Sequence, residues 1–164
     1  MKKLKLYLDL DGCFADFFTK SKELCGFAYH ENPVAFWGVV ETIDHFFLQL
    51  EPLEGAIDLF RAVEHNNPTV LTALPMLSKK LLTAPADKQL WVKKHMSPTI
   101  HTICVTRWDM KKQYASPDAV LVDDSERNIK DWISAGGIGI HHTSNGKTLL
   151  ELSKLGLVNE LLRL

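Results

Sequence analysis

The chain has 164 residues, of which 46% are apolar and 24% charged, enough for one domain with a substantial core. Nineteen Lys and Arg against twenty Asp and Glu leave a formal charge of -1. This balance excludes a protein that coats DNA or RNA through many phosphate contacts, but not one that binds a single small anion. No run of about twenty apolar residues occurs, so no membrane span is expected. The start, Met1 to Asp9, alternates apolar and polar residues and lacks the apolar stretch of a signal peptide. Cys13, Cys25 and Cys104 form no CxxC pair and no zinc-ligand spacing, which points to a reducing, cytoplasmic setting.

Leu4, Leu6, Leu8 and Leu10 alternate with Lys5, Tyr7 and Asp9, a period-two pattern that predicts a strand ending near Asp9. Two aromatic-rich helical patterns follow, one from Phe14 to Cys25 and one from Asn32-Pro33 past Trp37 to Phe47. Helical spacing returns at Gly55 to Glu64, where Ile57, Phe60 and Val63 share a face. A strand is predicted at Thr69 to Thr72. A helix over Asp87 to His95 follows, with Pro85 at its start. Ile100 to Thr106 and Ala119 to Asp123 read as strands. Ser125 caps a helix over Glu126 to Ala135 that Gly136-Gly137 stops. Ile138 to His141 is the last strand. A helical stretch from Lys147 to Arg163, broken near Gly156, closes the chain.

Strand and helix alternate about five times, which predicts an α/β fold with a parallel sheet between helical layers. Ligands of such folds bind outside the carboxyl ends of the strands. The stretch between Asp9 and Thr69 is far longer than one crossover helix needs. It is read as a small helical cap, residues 14–54, inserted into a core made of residues 1–13 and 55–164.

Asp9-Leu10-Asp11-Gly12 closes the first strand, and Gly12 permits a sharp turn there. Asp123-Asp124 closes another strand, after Ala119-Val120-Leu121-Val122. If these strands are neighbours, three or four carboxylates meet. Their repulsion calls for a hard divalent cation held by oxygen ligands, with magnesium the natural choice. Thr72 ends its strand with a hydroxyl, and the Ala73 amide follows, so together they offer two donors to one anion. Lys111 and Lys112 stand before Asp123, and either can supply a point charge for phosphate.

The order Asp9-Leu10-Asp11-Gly12, Thr72, a lysine near 112, Asp123-Asp124 resembles the four motifs of the haloacid dehalogenase (HAD) superfamily of phosphatases, over about Leu4 to His142. Within it, residues 9–17 (DLDGCFADF) look like the first motif of the 5'(3')-deoxyribonucleotidases. Residues 46–56 (FFLQLEPLEGA), Lys88 to His95 and Val105-Thr106-Arg107 also have counterparts there. The chain and its cap are shorter than in the animal enzymes, and Ala73 stands where they have Ser. The segment between Arg107 and Asp123 is longer, and spacing to Asp124 favours Lys112 as the phosphate lysine.

The resemblance implies a HAD-like three-layer fold and a Mg2+-dependent phosphatase acting on (deoxy)ribonucleoside monophosphates. It implies Asp9 as nucleophile and Asp11 as general acid and base. Mg2+ is expected on Asp9, the Asp11 backbone carbonyl and Asp124, with Asp123 in support. Thr72, Ala73 and Lys112 are expected on the phosphate, and Phe17, Phe36 and Trp37 around the base. The expected partner is a small nucleotide, not a nucleic-acid polymer or a membrane; a homodimer stays open. A phosphatase of another small ester, such as a sugar or cofactor phosphate, and a non-catalytic binding protein are the alternatives.

Overall fold

The computed structural model describes residues 3–75 and 81–159. Five parallel strands form one sheet in the order β3-β2-β1-β4-β5. They are β1 (Lys5–Leu8), β2 (Thr69–Ala73), β3 (His101–Val105), β4 (Ala119–Asp123) and β5 (Ile138–His141). The predicted strands are all present, displaced at most by a residue or two at their ends. Among the described residues, six α-helices accompany them: α1 (Phe17–Cys25), α2 (Pro33–Val40), α3 (Ala56–Val63), α4 (Ala84–His95), α5 (Glu126–Ser134) and α6 (Asn145–Lys154).

Period two sorts the strand side chains onto two faces. Leu6 and Leu8 of β1, with Val120 and Val122 of β4, join the larger apolar cluster under α3, α4 and α6. Tyr7, Leu71, Ala119 and Leu121 point to the other face, where Ile129 and Trp132 of α5 cover them. Both faces of the sheet are therefore buried, which is why β4 reads as a continuous apolar run. Trp132 also donates its indole N–H to the Ala119 carbonyl at 3.3 Å.

The stretch between β1 and α3 departs from its predicted outline in two places. Helix α1 starts at Phe17 and not at Phe14, because the amides of Cys13, Phe14 and Ala15 all converge on the Leu10 carbonyl. Asp16 then caps the helix by accepting from the Thr19 amide at 3.1 Å. Helix α2 stops at Val40 instead of reaching Phe47. The Thr42 hydroxyl donates to the Val39 carbonyl at 2.7 Å, and His45 turns into the left-handed region at φ 53°. Phe46–Gln49 then forms a separate 3-10 helix. The closing helix ends at Lys154, ahead of Gly156 at φ 70°; residues 160–163 of its predicted span lie outside the described residues. Among the described residues, no helix is long and apolar enough to cross a membrane.

The order β3-β2-β1-β4-β5 has its reversal between β1 and β4, since the chain leaves β1 toward β2 and β3, then returns to β4 on the other side. The crevice at the carboxyl ends of these two strands is where the fold puts ligands. Trp132 fixes α5, and with it the turn that carries Asp123 and Asp124. Trp132→Ala is expected to destabilise the protein by about 3–5 kcal/mol, read from urea unfolding followed by circular dichroism.

Candidate active site

The register Leu8↔Val122 places the ends of β1 and β4 side by side, and the Asp9 amide extends the ladder by donating to the Val122 carbonyl at 2.9 Å. Asp9 and Asp11 therefore face Asp123 and Asp124 across the switch point. Gly12 makes this approach possible. It sits at φ 82°, and a Cβ there would overlap the Asp124 carboxylate.

Two buried lysines occupy the crevice. Lys111 donates to Asp9 Oδ1 at 2.6 Å and to Asp123 Oδ2 at 2.7 Å. Burial works against its charge, but the carboxylates of Asp9 and Asp123 outweigh that and hold its pKa above the usual lysine range. Lys88, on α4, donates to Asp11 Oδ2, to Thr72 Oγ1 at 3.0 Å and to the Ala73 carbonyl at 2.8 Å. Its ammonium also lies 4.6 Å from the centre of the Phe47 ring.

The preference for Lys112 is corrected by the structure. Lys111 is buried among the carboxylates, and Lys112 is exposed. Trp108–Tyr114 is a helix, so the two adjacent lysines leave it in different directions, and the Lys111 side is the one that packs toward the carboxylates. Lys88 was visible only as part of a family-like stretch. The signal was a cation at position i of a helix whose i+3 and i+4 residues, Trp91 and Val92, are buried. A lysine within an apolar stripe needs a buried acid partner.

Asp123 is fully buried and saturated. It accepts from Lys111, from the Ser125 amide at 2.8 Å, and from the Asn128 side-chain amide at 3.1 and 3.0 Å. Its carboxylate thus orients Lys111 and has little left for a metal, which leaves it the supporting place expected of it beside Asp124. Among the described residues, no cationic side chain lies within salt-bridge distance of the Asp124 carboxylate. Burial, then the charges of Asp9 and Asp123, push its pKa up to about 8. Asp9, Cys13 and Asp124 each present one atom within 4.8 Å of the others. The two crowded carboxylates of Asp9 and Asp124 fit a hard divalent cation. The Cys13 thiol is fully buried, and burial followed by the neighbouring carboxylates pushes its pKa well up, which makes it a neutral neighbour and not a magnesium ligand.

The aromatic residues expected around a base divide. Phe36 and Phe17 are buried and pack on each other at 5.7 Å between ring centres. Phe17 also packs on Phe46 and Phe47. They are the apolar interior of the inserted segment, because that segment has few other large side chains to fill it. Trp37 alone of the three lines a cavity of about 440 Å³, with Tyr29, Ala73, Arg107, Trp108 and Arg127. The cavity begins beside Thr72, through Ala73, and ends on aromatic walls.

No family model matches the chain, and no curated protein matches it. Solved structures do. A HAD family hydrolase from Deinococcus radiodurans R1, with bound phosphate and sodium, superposes with a TM-score of 0.61 at 13% identity, covering 94% of this chain and 97% of that one. A HAD-superfamily hydrolase from Ehrlichia chaffeensis gives a TM-score of 0.54 at 13% identity, covering 94% and 98%. A phosphonoacetaldehyde hydrolase-like protein from Oleispira antarctica gives 0.54 at 13% identity, covering 85% and 72%. The chain has the HAD hydrolase fold.

The raised pKa of Asp124 has a measurable consequence. Its folded-state value of about 8 lies above the ordinary 3.8, so the native state binds this proton more tightly than the unfolded chain does. In the metal-free protein the resulting stability is present at acid pH and is lost as pH rises toward 8. Asp124→Asn is expected to flatten that part of the profile and raise the thermal midpoint most at pH 8. Mg2+ should raise the midpoint of the unsubstituted protein more at pH 8 than at pH 6, in differential scanning fluorimetry at both values.

Proposed function

We propose that the chain is a divalent-metal-dependent phosphatase of nucleoside monophosphates that works through an aspartyl-phosphate on Asp9. One observation carries this reading. Asp9, Asp11, Thr72, Lys111 and Asp124 converge at the ends of three neighbouring strands, beside a cavity with aromatic walls. The phosphate and sodium held by the Deinococcus protein, which shares the fold, agree with it.

Asp9 attacks phosphorus in line, forming a carboxyl–phosphorus bond as the ester P–O bond breaks. Lys111 holds the Asp9 oxygen toward its place and neutralises charge there. Lys88 occupies Asp11 Oδ2, so Oδ1 is the atom left to carry the proton that the departing alkoxide needs. The same oxygen then takes a proton from the water that hydrolyses the acyl-phosphate, which releases phosphate and restores Asp9. The Thr72 hydroxyl accepts from Lys88 and keeps its own proton to donate to a phosphoryl oxygen, beside the Ala73 amide. Magnesium on Asp9 and Asp124 would offset the repulsion between the carboxylates and the incoming phosphate. Trp37 presents its face to the base, where stacking is worth about 1–3 kcal/mol.

A phosphate-release screen over nucleoside monophosphates, sugar phosphates and phenyl phosphate, with and without Mg2+, tests the reading. Nucleotides are expected as the best substrates, with turnover requiring Mg2+; release from sugar phosphates alone would sink it. Asp9→Asn should abolish turnover and leave the circular dichroism spectrum intact. Lys111→Ala should lower kcat/KM by about 10²–10³, against less than about twofold for Lys112→Ala, in the same steady-state assay.

A further inference from the structure

His45 turns the chain between α2 and the 3-10 helix Phe46–Gln49 at φ 53°, in the left-handed region that a non-glycine residue enters at a cost. From that turn its side chain reaches α4, where Nδ1 lies 2.8 Å from Asp87 Oδ1. The Asp87 carboxylate is buried, although the imidazole is largely exposed. The other oxygen, Asp87 Oδ2, accepts from the Thr83 hydroxyl at 3.0 Å. Both oxygens of a buried acid are thus engaged, one by the residue that precedes α4 and one by the inserted segment. Removing either donor leaves a buried carboxylate partly uncompensated, which is costly away from water.

Two further contacts follow along the same helix. Lys88, the next residue, sets its ammonium 4.6 Å from the centre of the Phe47 ring, and Trp91 donates its indole N–H to the Leu50 carbonyl at 2.7 Å. Residues 45–50 therefore run against α4 over its first two turns. At its far end the Lys88 side chain donates to Asp11, to Thr72 Oγ1 at 3.0 Å and to the Ala73 carbonyl at 2.8 Å, so each ammonium proton has an acceptor. A cation held by three directional bonds tolerates little displacement of the helix that carries it.

We propose that His45 is a positioning residue: through Asp87 it holds the first turn of α4, and so sets the Lys88 ammonium against Asp11, a statement that rests on the phosphatase reading above. Without His45, the uncompensated Asp87 carboxylate turns toward water and Lys88, one residue on, moves with it. The bond to Asp87, then the Asp87 charge, hold the His45 pKa above the ordinary histidine range, and Asp44 beside it acts in the same direction. The neighbouring cation of α4, Lys88, directs its ammonium away into the site. A group with a raised folded-state pKa contributes fully at acid pH, so the ion pair is complete below pH 6.5 and weakens to a neutral hydrogen bond as pH rises through the raised value.

His45→Gly and His45→Asn test this without disturbing the turn. Glycine accepts the left-handed backbone and removes only the side chain. Asparagine also accepts that backbone and offers an amide N–H to Asp87. In His45→Gly, kcat/KM should fall at least about tenfold for dAMP, whose alkoxide needs a proton to leave, and less than about threefold for para-nitrophenyl phosphate, whose leaving group departs without one. His45→Asn should recover most of the dAMP loss. Equal losses on the two esters would mean that His45 only supports the fold, and would overturn the proposal. The NMR signal of the 15N-labelled Lys88 ammonium reads its position without turnover. Its protons should exchange with water at least about tenfold faster in His45→Gly than in the unsubstituted protein or His45→Asn, while those of Lys111 keep their rate. An unchanged Lys88 signal would overturn the proposal whether or not any ester is hydrolysed. A Lys88 effect with neither ester hydrolysed would leave the positioning standing and sink the phosphatase reading instead. The His45 imidazole should titrate above 6.5 in the unsubstituted protein and closer to it in Asp87→Asn; titration at or below 6.5 in the unsubstituted protein would also overturn the proposal.

Discussion

The site is organised around one buried ammonium. Lys111 bridges Asp9 and Asp123, and without it two carboxylates from neighbouring strands would face each other out of water. Burying an ion pair contributes little stability by itself, because the lost hydration is about as large as the attraction regained. What the pair fixes is geometry. Asp123 is held by Ser125 and Asn128 as well, so it is a rigid anchor, and it passes that rigidity through Lys111 to Asp9. A flexible surface lysine could not do this.

Charge counting around that bridge explains the demand for a metal. Asp9, Asp11, Asp123 and Asp124 bring four carboxyl groups to one end of the sheet, and Lys111 and Lys88 pair with three of them but supply only two positive charges. Two negative charges are left uncompensated when all four ionise, and the strain shows on the group with no lysine, Asp124, whose proton is held up to about pH 8. Protonation and a divalent cation are the two ways to remove that deficit.

The sequence made much of this readable, for identifiable reasons. Strand β1 was readable from its period-two alternation, and β4 from an apolar run closed by Asp123-Asp124. The parallel sheet followed from alternation of element types, not from any single element. Two things were hidden. The choice between Lys111 and Lys112 depended on which side of the helix before β4 faces the carboxylates, and one residue along such a helix turns a side chain by about 120°. The division of aromatic residues into interior and cavity wall depended on tertiary packing: Phe17, Phe36, Phe46 and Phe47 had to fill a small segment with no sheet of its own.

The segment between β1 and α3 is joined by packing and hydrogen bonds to the end of the sheet that carries the carboxylates. The buried phenylalanines of the insert belong to the same apolar cluster as Leu6 and Leu8 of β1. Trp91 of α4 donates its indole N–H to the Leu50 carbonyl at 2.7 Å, and His45 meets Asp87 of the same helix at 2.8 Å. Helix α4 is also the helix that delivers Lys88 to Asp11. A shift of the insert against the sheet would therefore move Lys88 and Trp37 together, one at the phosphate end and one at the aromatic wall.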